Sequence, residues 1–322
     1  MSFLNEVPEA SNYTFCSLVK SGALSGCWRA YNKDTEQVFI IKTIQKDLFS
    51  SPESSRKFIH ELGILRNAHH QFINQFINLI DQPEQIHLVM EDIDGISLRD
   101  YISLNGPLSV SSTTELIGRL YVIAQYMKPQ LGIEYCSFNA DNIYVDKKGH
   151  LISYVIQQFN GFLNPKETAF TIPFHPPEVL TSKGYLTNAD SWSICAIAYF
   201  CLTGKILFFC SNLEDSQKAV LSDPLKLNEK LSEEAKAFIS KGMIKNPLMR
   251  LQLKNFMTYK FLEDTPIDVT QSEPIGIHDS PSKLNLHQIQ FGKKAFVKIS
   301  YKSSIPMIRK AKNINHCETM FW

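Results

Sequence analysis

Two charged residues stand where the surrounding pattern dictates apolar packing. Lys42 interrupts the run Gln37–Ile44 (QVFIIKTI), and a strand period of two puts it on the same face as Val38, Ile40 and Ile44. Glu61 lies three residues after Phe58 and four before Leu65, on the apolar stripe Phe58, Leu62, Leu65 of a helical pattern. A charge on a buried face needs a partner, and each of these two is the natural partner of the other. A Gly/Ser-rich stretch, Lys20–Cys27 (KSGALSGC), precedes them. Its Gly22 suits any tight turn and also suits a backbone that must approach a phosphate closely. Asn142, in the segment NADN, can ligate a cation or hydrogen-bond the backbone of its own loop. The pair His69-His70 follows the helical stripe and reads as structural. The seven cysteines are odd in number and none has C-x-x-C spacing, so neither a zinc site nor a disulfide framework is expected, and reduced thiols of a cytoplasmic protein are.

The elements that must position these residues come in two blocks. Residues 13–44 read as strands and turns, with Asn32-Lys33-Asp34 as a hairpin turn. The run 37–44 is apolar on both faces, as in a strand covered on both sides. A helix should start after Ser51, with Ser51 as its cap, Pro52 in first position and Glu53 at the positive end. Two more strand-like runs follow, Phe76–Ile80 and Ile86–Met90, and then a polar link, Glu91–Gly95. From Leu98 the character is helical: about 98–103, 112–128, 189–203, 232–243 and 250–257. Strands first and helices after predict an α+β chain with two lobes. Residues 263–285 look like a linker, 288–304 have strand character, RKAK (309–312) is basic, and the chain given closes on the apolar MFW.

Composition narrows the function classes. The chain has 322 residues, 44% hydrophobic and 20% charged, enough for a sizeable core. Thirty-three Lys and Arg against 32 Asp and Glu leave a net charge of +1, which gives no bulk support for a nucleic-acid or anionic-membrane partner. The longest apolar run, Ile194–Leu202, is far short of the roughly 20 residues a bilayer requires and reads as a buried core helix. The first residues, MSFLNEVPEA, lack the basic start of a secretory signal.

The order of Gly-rich turn, strand Lys, helix Glu, link and helical block resembles a eukaryotic protein kinase of serine/threonine type, from about Tyr13 to Leu262. Further pieces carry the resemblance: PPEVL (176–180), GYLTNADSWSICAIAYFCLTG (184–204) and EEAKAFISKGMIKNPLMRL (233–251). They are similar to the A-P-E segment, the D-x-W-S helix start and the late arginine of that family. The resemblance implies that Glu178 and Arg250 form a buried ion pair and that Asp190 braces the catalytic loop. It also implies a bilobal protein kinase-like fold, with a small antiparallel-sheet N-lobe carrying one long helix (13–91), a hinge (91–95), a mostly helical C-lobe (96–262) and a C-terminal tail (263–322).

The catalytic positions depart from the family. H-R-D-L-K-P-E-N corresponds to YCSFNADN (135–142), so Ser137 stands at the base position, Cys136 at the Arg and Asn139 at the Lys, while Asn142 keeps the metal-binding Asn. A neutral hydroxyl is no carboxylate base, and loss of general-base catalysis costs about 10²–10⁴-fold. G-H-L-x-x-x-D-F-G corresponds to GHLISYVIQ (149–157), which puts Val155 at the magnesium position, where an oxygen ligand is required. Among the glycines of the phosphate loop, only Gly22 matches. Ile40, Tyr144 and Tyr154 replace smaller residues around the adenine slot beside the gatekeeper position, Met90.

The expectation is a pseudokinase: a kinase-shaped scaffold or allosteric regulator of a protein partner that the sequence does not identify. No catalytic residue, no metal and no resident cofactor are expected. A vestigial ATP site would comprise Lys42, Glu61, Gly22, Met90 and Asn142, with ATP weak or absent and magnesium not expected. The alternative is a serine/threonine kinase with unconventional catalysis, or an ATP-binding module, in which Asp141 or Asp146 would have to supply the missing acid. Thr168 and Thr171 are expected to be exposed and without a regulatory role. Neither a nucleic acid nor a membrane is expected as partner.

Overall fold

A computed structural model describes residues 10, 12–21, 25–49, 51–154, 168–181 and 187–263. Gly22, Val155, RKAK, MFW and the tail beyond Glu263 lie outside these residues, so the expectations attached to them have no structural counterpart here.

The N-terminal lobe is a five-stranded antiparallel sheet of β1 (Tyr13–Ser21), β2 (Ser25–Asn32), β3 (Val38–Gln45), β4 (Phe76–Asp81) and β5 (Gln85–Glu91), in the order β1-β2-β3-β5-β4. The hairpin turn forms as expected: the Asn32 side-chain oxygen accepts hydrogen bonds from the amides of Asp34 (2.8 Å) and Thr35 (3.1 Å), which reverses the chain between β2 and β3. Helix α1 (Pro52–Asn67) starts where the cap and proline place it. Ser51 accepts from the Ser54 amide, and Ser54 closes a reciprocal capping box on the Ser51 amide. Its stripe Phe58, Leu62 and Leu65 is buried in one continuous core with Ile44, Ile86 and Leu88 on the inner face of the sheet.

The outer face of β3 is apolar too, and the sheet itself covers it. Ala30, Ile41 and Val89 are fully buried beneath Tyr13, Phe15, Phe39, Ile77 and Ile80. This is why the run 37–44 shows no clean alternation.

After the link Asp92–Gly95 comes a small sheet of β6 (Ile96–Ser97), β7 (Ile143–Val145) and β8 (Leu151–Tyr154), with α2 (Leu98–Asn105) and α3 (Val110–Leu131) between β6 and β7. Then follow α4 (Pro177–Leu180), α5 (Ala189–Thr203), α6 (Leu213–Ser222) and α7 (Glu233–Gly242). Helix α5 is apolar on all sides, as a core helix must be, and every residue from Ala189 to Cys201 is buried. It packs against α3 and α7. Gly242 of α7 lets the two approach: a Cβ there would collide with the Cys195 sulfur.

Several elements differ from the sequence reading. The short strands β6, β7 and β8 and the helices α4 and α6 are additional to it. Residues 250–257 do not form an α-helix; Leu253–Thr258 is a 3₁₀ segment that buries only Phe256. Too few apolar positions recur there to hold a longer helix.

Candidate functional site

The site is built where the two sheets meet. In β3, Lys42 lies opposite Cys27 on one side and Leu88 on the other, and Ile40 lies opposite Arg29 and Met90. This register turns Ile40 and Lys42 to the inner side, toward α1. Glu61 is buried there, at 6% exposure, and its Oε2 has no hydrogen-bond partner. Burial pushes its carboxyl up to about 8, and attraction to Lys42 is the larger of the two influences that pull it back. Lys42 thus pulls on the Glu61 carboxyl, but desolvation outweighs that pull.

The loop 135–142 is held from beneath. Asp190, at the start of α5, accepts the Cys136 amide at 2.7 Å, which is the bracing role expected of it. Burial raises the Asp190 carboxyl to about 7, and the Cys136 amide partly offsets that. Beside it, the Tyr135 hydroxyl shares a hydrogen bond with His175 Nδ1 (3.0 Å) and accepts one from Ser193 (3.2 Å). Burial holds the His175 imidazole neutral, with its pKa lowered to about 4. Ser137 adopts a left-handed backbone, φ 54°. Nothing in the sequence reading anticipated this Tyr135–His175–Ser193 cluster, because its members come from three distant segments.

Asn142 is fully buried, and both ends of its amide are used. Its Oδ1 accepts the Asn139 amide (2.9 Å), and its Nδ2 donates to the Ser137 carbonyl (3.0 Å). Asn142 thus ties the loop together from within. Asp141 and Asp146, the two acids the alternative required, are committed elsewhere. Asp141 pairs with Arg99 at 3.4 Å, and the Arg99 guanidinium lies over the Phe170 ring, 3.7 Å from its centre. Asp146 accepts the amides of Lys148 (2.7 Å) and His150 (3.0 Å) in the β7–β8 turn. A magnesium ion would need several oxygens converging on one point. The described residues of this site offer one amide oxygen already in use, and among the described residues no group of three or more His, Cys, Asp or Glu is placed to hold a metal. This donor set does not fit the ion.

Tyr144 and Tyr154 have different fates. Tyr144 of β7 lies opposite Ser97 and Ser153. Burial raises its phenol, and the next influences are Cys27 of β2, Asp100 of α2 and Asp141. Its side chain is half-buried. Tyr154 corrects the expectation. It is fully buried in the C-terminal core, donates its hydroxyl to the Cys136 carbonyl and meets Phe138 edge to face at 4.8 Å. It turns away from the slot because its hydroxyl finds an acceptor only beneath the loop. At the mouth of the gap, Arg29 reaches Asp92 of the link at 3.1 Å, a contact with no signal in the sequence.

The remaining sequence-marked residues are structural. Glu178 and Arg250 form the expected buried pair, at 2.5 and 2.9 Å. The His69 amide donates to the Tyr126 hydroxyl (3.0 Å), and His70 Nδ1 accepts the Phe72 amide (3.1 Å), so both anchor the turn after α1. Thr168 and Thr171 bond to each other; Thr168 is exposed, but Thr171 is buried, against expectation. Among the described residues, no helix is long and apolar enough to cross a membrane.

Comparison with known proteins agrees with this geometry. The family model described as protein kinase domain matches residues 13–262. Myosin light chain kinase A of Dictyostelium discoideum is 28% identical over 262 residues, covering 78% of this chain and 88% of that protein. A probable myosin light chain kinase of the same organism is 27% identical, over 78% of this chain and 67% of its own length. Sperm motility kinase 2B of Mus musculus is 26% identical, over 79% of this chain and 52% of its own, so the chain spans about half of that relative.

Proposed function

The chain belongs to the protein kinase family, and on that premise we propose that it is a pseudokinase, a scaffold or allosteric regulator of a protein partner that does not transfer phosphate. The observation that carries the reading is Ser137. Where the family's loop presents a carboxylate to take the substrate proton, this loop presents the neutral hydroxyl of a serine. A hydroxyl of ordinary acidity does not accept that proton, and neighbouring carboxylates do not replace it, since Asp141 is paired with Arg99.

Asn142 and Tyr144 support the same reading. The amide oxygen of Asn142 accepts the Asn139 amide of its own loop, and position 144 carries a tyrosine where the family's adenine slot has a smaller residue. Nucleotide binding is weak or absent on this view, and the gap between the lobes is a packed joint. Lys42, Glu61, Glu178, Asp190 and Arg250 then maintain the shape that a partner reads. The buried free thiols Cys136, Cys195 and Cys201 suit a reducing compartment such as the cytoplasm.

Thermal unfolding with ATP, with and without magnesium, tests the proposal. A ligand at about 100 times its Kd stabilises by about 2.7 kcal/mol, which for a domain of this size shifts Tm by about 5–10 °C. No shift is the expected result. A magnesium-dependent shift, together with labelled phosphate transferred to the chain itself or to a general substrate, would overturn it.

A further inference from the structure

The outer face of the five-stranded sheet is built to be covered. Its centre, Ala30, Ile41 and Val89, lies under one layer of side chains that, among the described residues, all come from the sheet itself. That layer is apolar and aromatic: Tyr13, Phe15, Phe39, Ile77 and Ile80 are half-buried, and Leu18 beside them is 43% exposed. Antiparallel sheets that face water carry polar side chains on that side; here the polar Thr43 and His87 are buried and hydrogen-bonded to each other beside the aromatic layer. Within the layer lies Trp28, 6% exposed, with its indole Nε1 buried and without a hydrogen-bond partner. An indole N–H in that position is a donor lacking its acceptor.

The chain supplies a segment of matching chemistry. From Ile289 to Tyr301 the odd positions are Ile, Phe, Lys, Ala, Val, Ile and Tyr, and the even positions are Gln, Gly, Lys, Phe, Lys and Ser. This is the period of an amphipathic strand, apolar on one side and basic on the other. Its seven residues Ala295–Tyr301 would span about 23 Å at ~3.3 Å per residue, close to the length of β3.

Charge agrees. Residues 286–302 carry four lysines and no acid, whereas the strands and turns of the sheet (12–49 and 76–95) hold five Lys and Arg against eight Asp and Glu. Reach agrees as well: the stretch from Asp264 to Gln288, extended at ~3.3 Å per residue, covers about 80 Å, several times the ~18 Å radius of gyration of a domain this size.

We propose that residues 289–301 of this same chain dock on the outer face of the sheet, with Val297, Ile299 and Tyr301 against the aromatic layer. The tail then acts as a built-in cover of the N-terminal lobe, and its lysines meet the acidic rim.

The test uses the full chain labelled with 5-fluorotryptophan, whose three tryptophans are Trp28, Trp192 and Trp322. Fluorine NMR is recorded for the wild type and for the double variant Val297→Asp/Ile299→Asp, with Trp28→Phe to assign its signal. The proposal expects the Trp28 resonance to shift in the double variant. The Trp192 signal, deep in α5, should stay in place and report that the fold is intact. An unmoved Trp28 signal overturns the proposal. A Trp28 shift that appears only with dissociation of a dimer, seen by light scattering across concentrations, also overturns it, because the cover would then be a second copy.

Discussion

Replacing Glu61 with glutamine removes a titrating carboxyl, keeps the shape, and should reveal itself in pH dependence. Burial lifts this carboxyl from its ordinary 4.5 to about 8 against the opposing pull of Lys42 and then Lys57. A carboxyl whose native pKa lies above its unfolded one binds its proton more tightly when folded. The group therefore costs the fold nothing below the unfolded pKa, and stability is lost as pH climbs from about 4.5 toward 8. At about 1.4 kcal/mol per pKa unit, the full effect between pH 4.5 and 7 is about 3 kcal/mol, and solvent relaxation around the site brings it to about 1–3 kcal/mol. Glutamine does not titrate, so in urea unfolding from about pH 5 to about pH 8 the variant should gain on the wild type by that amount. Other titrating groups, Asp190 among them, cancel in the difference. A difference that stays flat with pH would refute the reasoning. An opposite slope would show that Lys42 holds Glu61 charged.

Three further substitutions probe separate parts of the molecule. Glu178→Ala strands the fully buried Arg250, whose guanidinium also donates to the carbonyls of Ile244, Asn188 and Lys245, and should cost about 3–5 kcal/mol in urea unfolding. Gly242→Ala drives a methyl into the Cys195 sulfur between α5 and α7 and should cost about 1–3 kcal/mol, read as a lower Tm. Tyr144→Gly empties the space facing Cys27 and Asp100; if that ring is what excludes adenine, the variant should show a nucleotide-dependent Tm shift that the wild type lacks.

What the sequence made legible follows from the range of the interactions. The Ser51 cap, the Asn32 turn and the stripe Phe58, Leu62, Leu65 are local, and each is set by residues within a turn or two. Glu178, Asp190 and Arg250 are not local, and their pairing was readable only because their motifs stand in a known order. Where neither help was present, the reading stopped. Arg99–Asp141 and Arg29–Asp92 join residues 42 and 63 apart with no motif at either end. Tyr154 was assigned to the slot by its position beside Val155, but its rotamer is decided by an acceptor, the Cys136 carbonyl, that sequence does not reveal. Helix α6 is short and buries only Ser216, Ala219 and Val220.

The loop around Ser137 explains how a catalytic position can change without loss of the fold. Its shape rests on backbone groups: the Cys136 amide on Asp190, and the Ser137 carbonyl and Asn139 amide on Asn142. None of these bonds involves the side chain at 137, which is half-buried on a left-handed backbone that aspartate tolerates better than most residues. Ser137→Asp should therefore fold with a stability within about 0.5 kcal/mol of the wild type. It should still not transfer phosphate, because the amide oxygen of Asn142 remains committed to Asn139 and position 144 remains a tyrosine. Appearance of labelled phosphate on a substrate in this single variant would mean that the base alone was missing, and that the metal and nucleotide sites are intact. Loss of stability beyond about 2 kcal/mol would mean instead that this half-buried position does not accept a carboxylate.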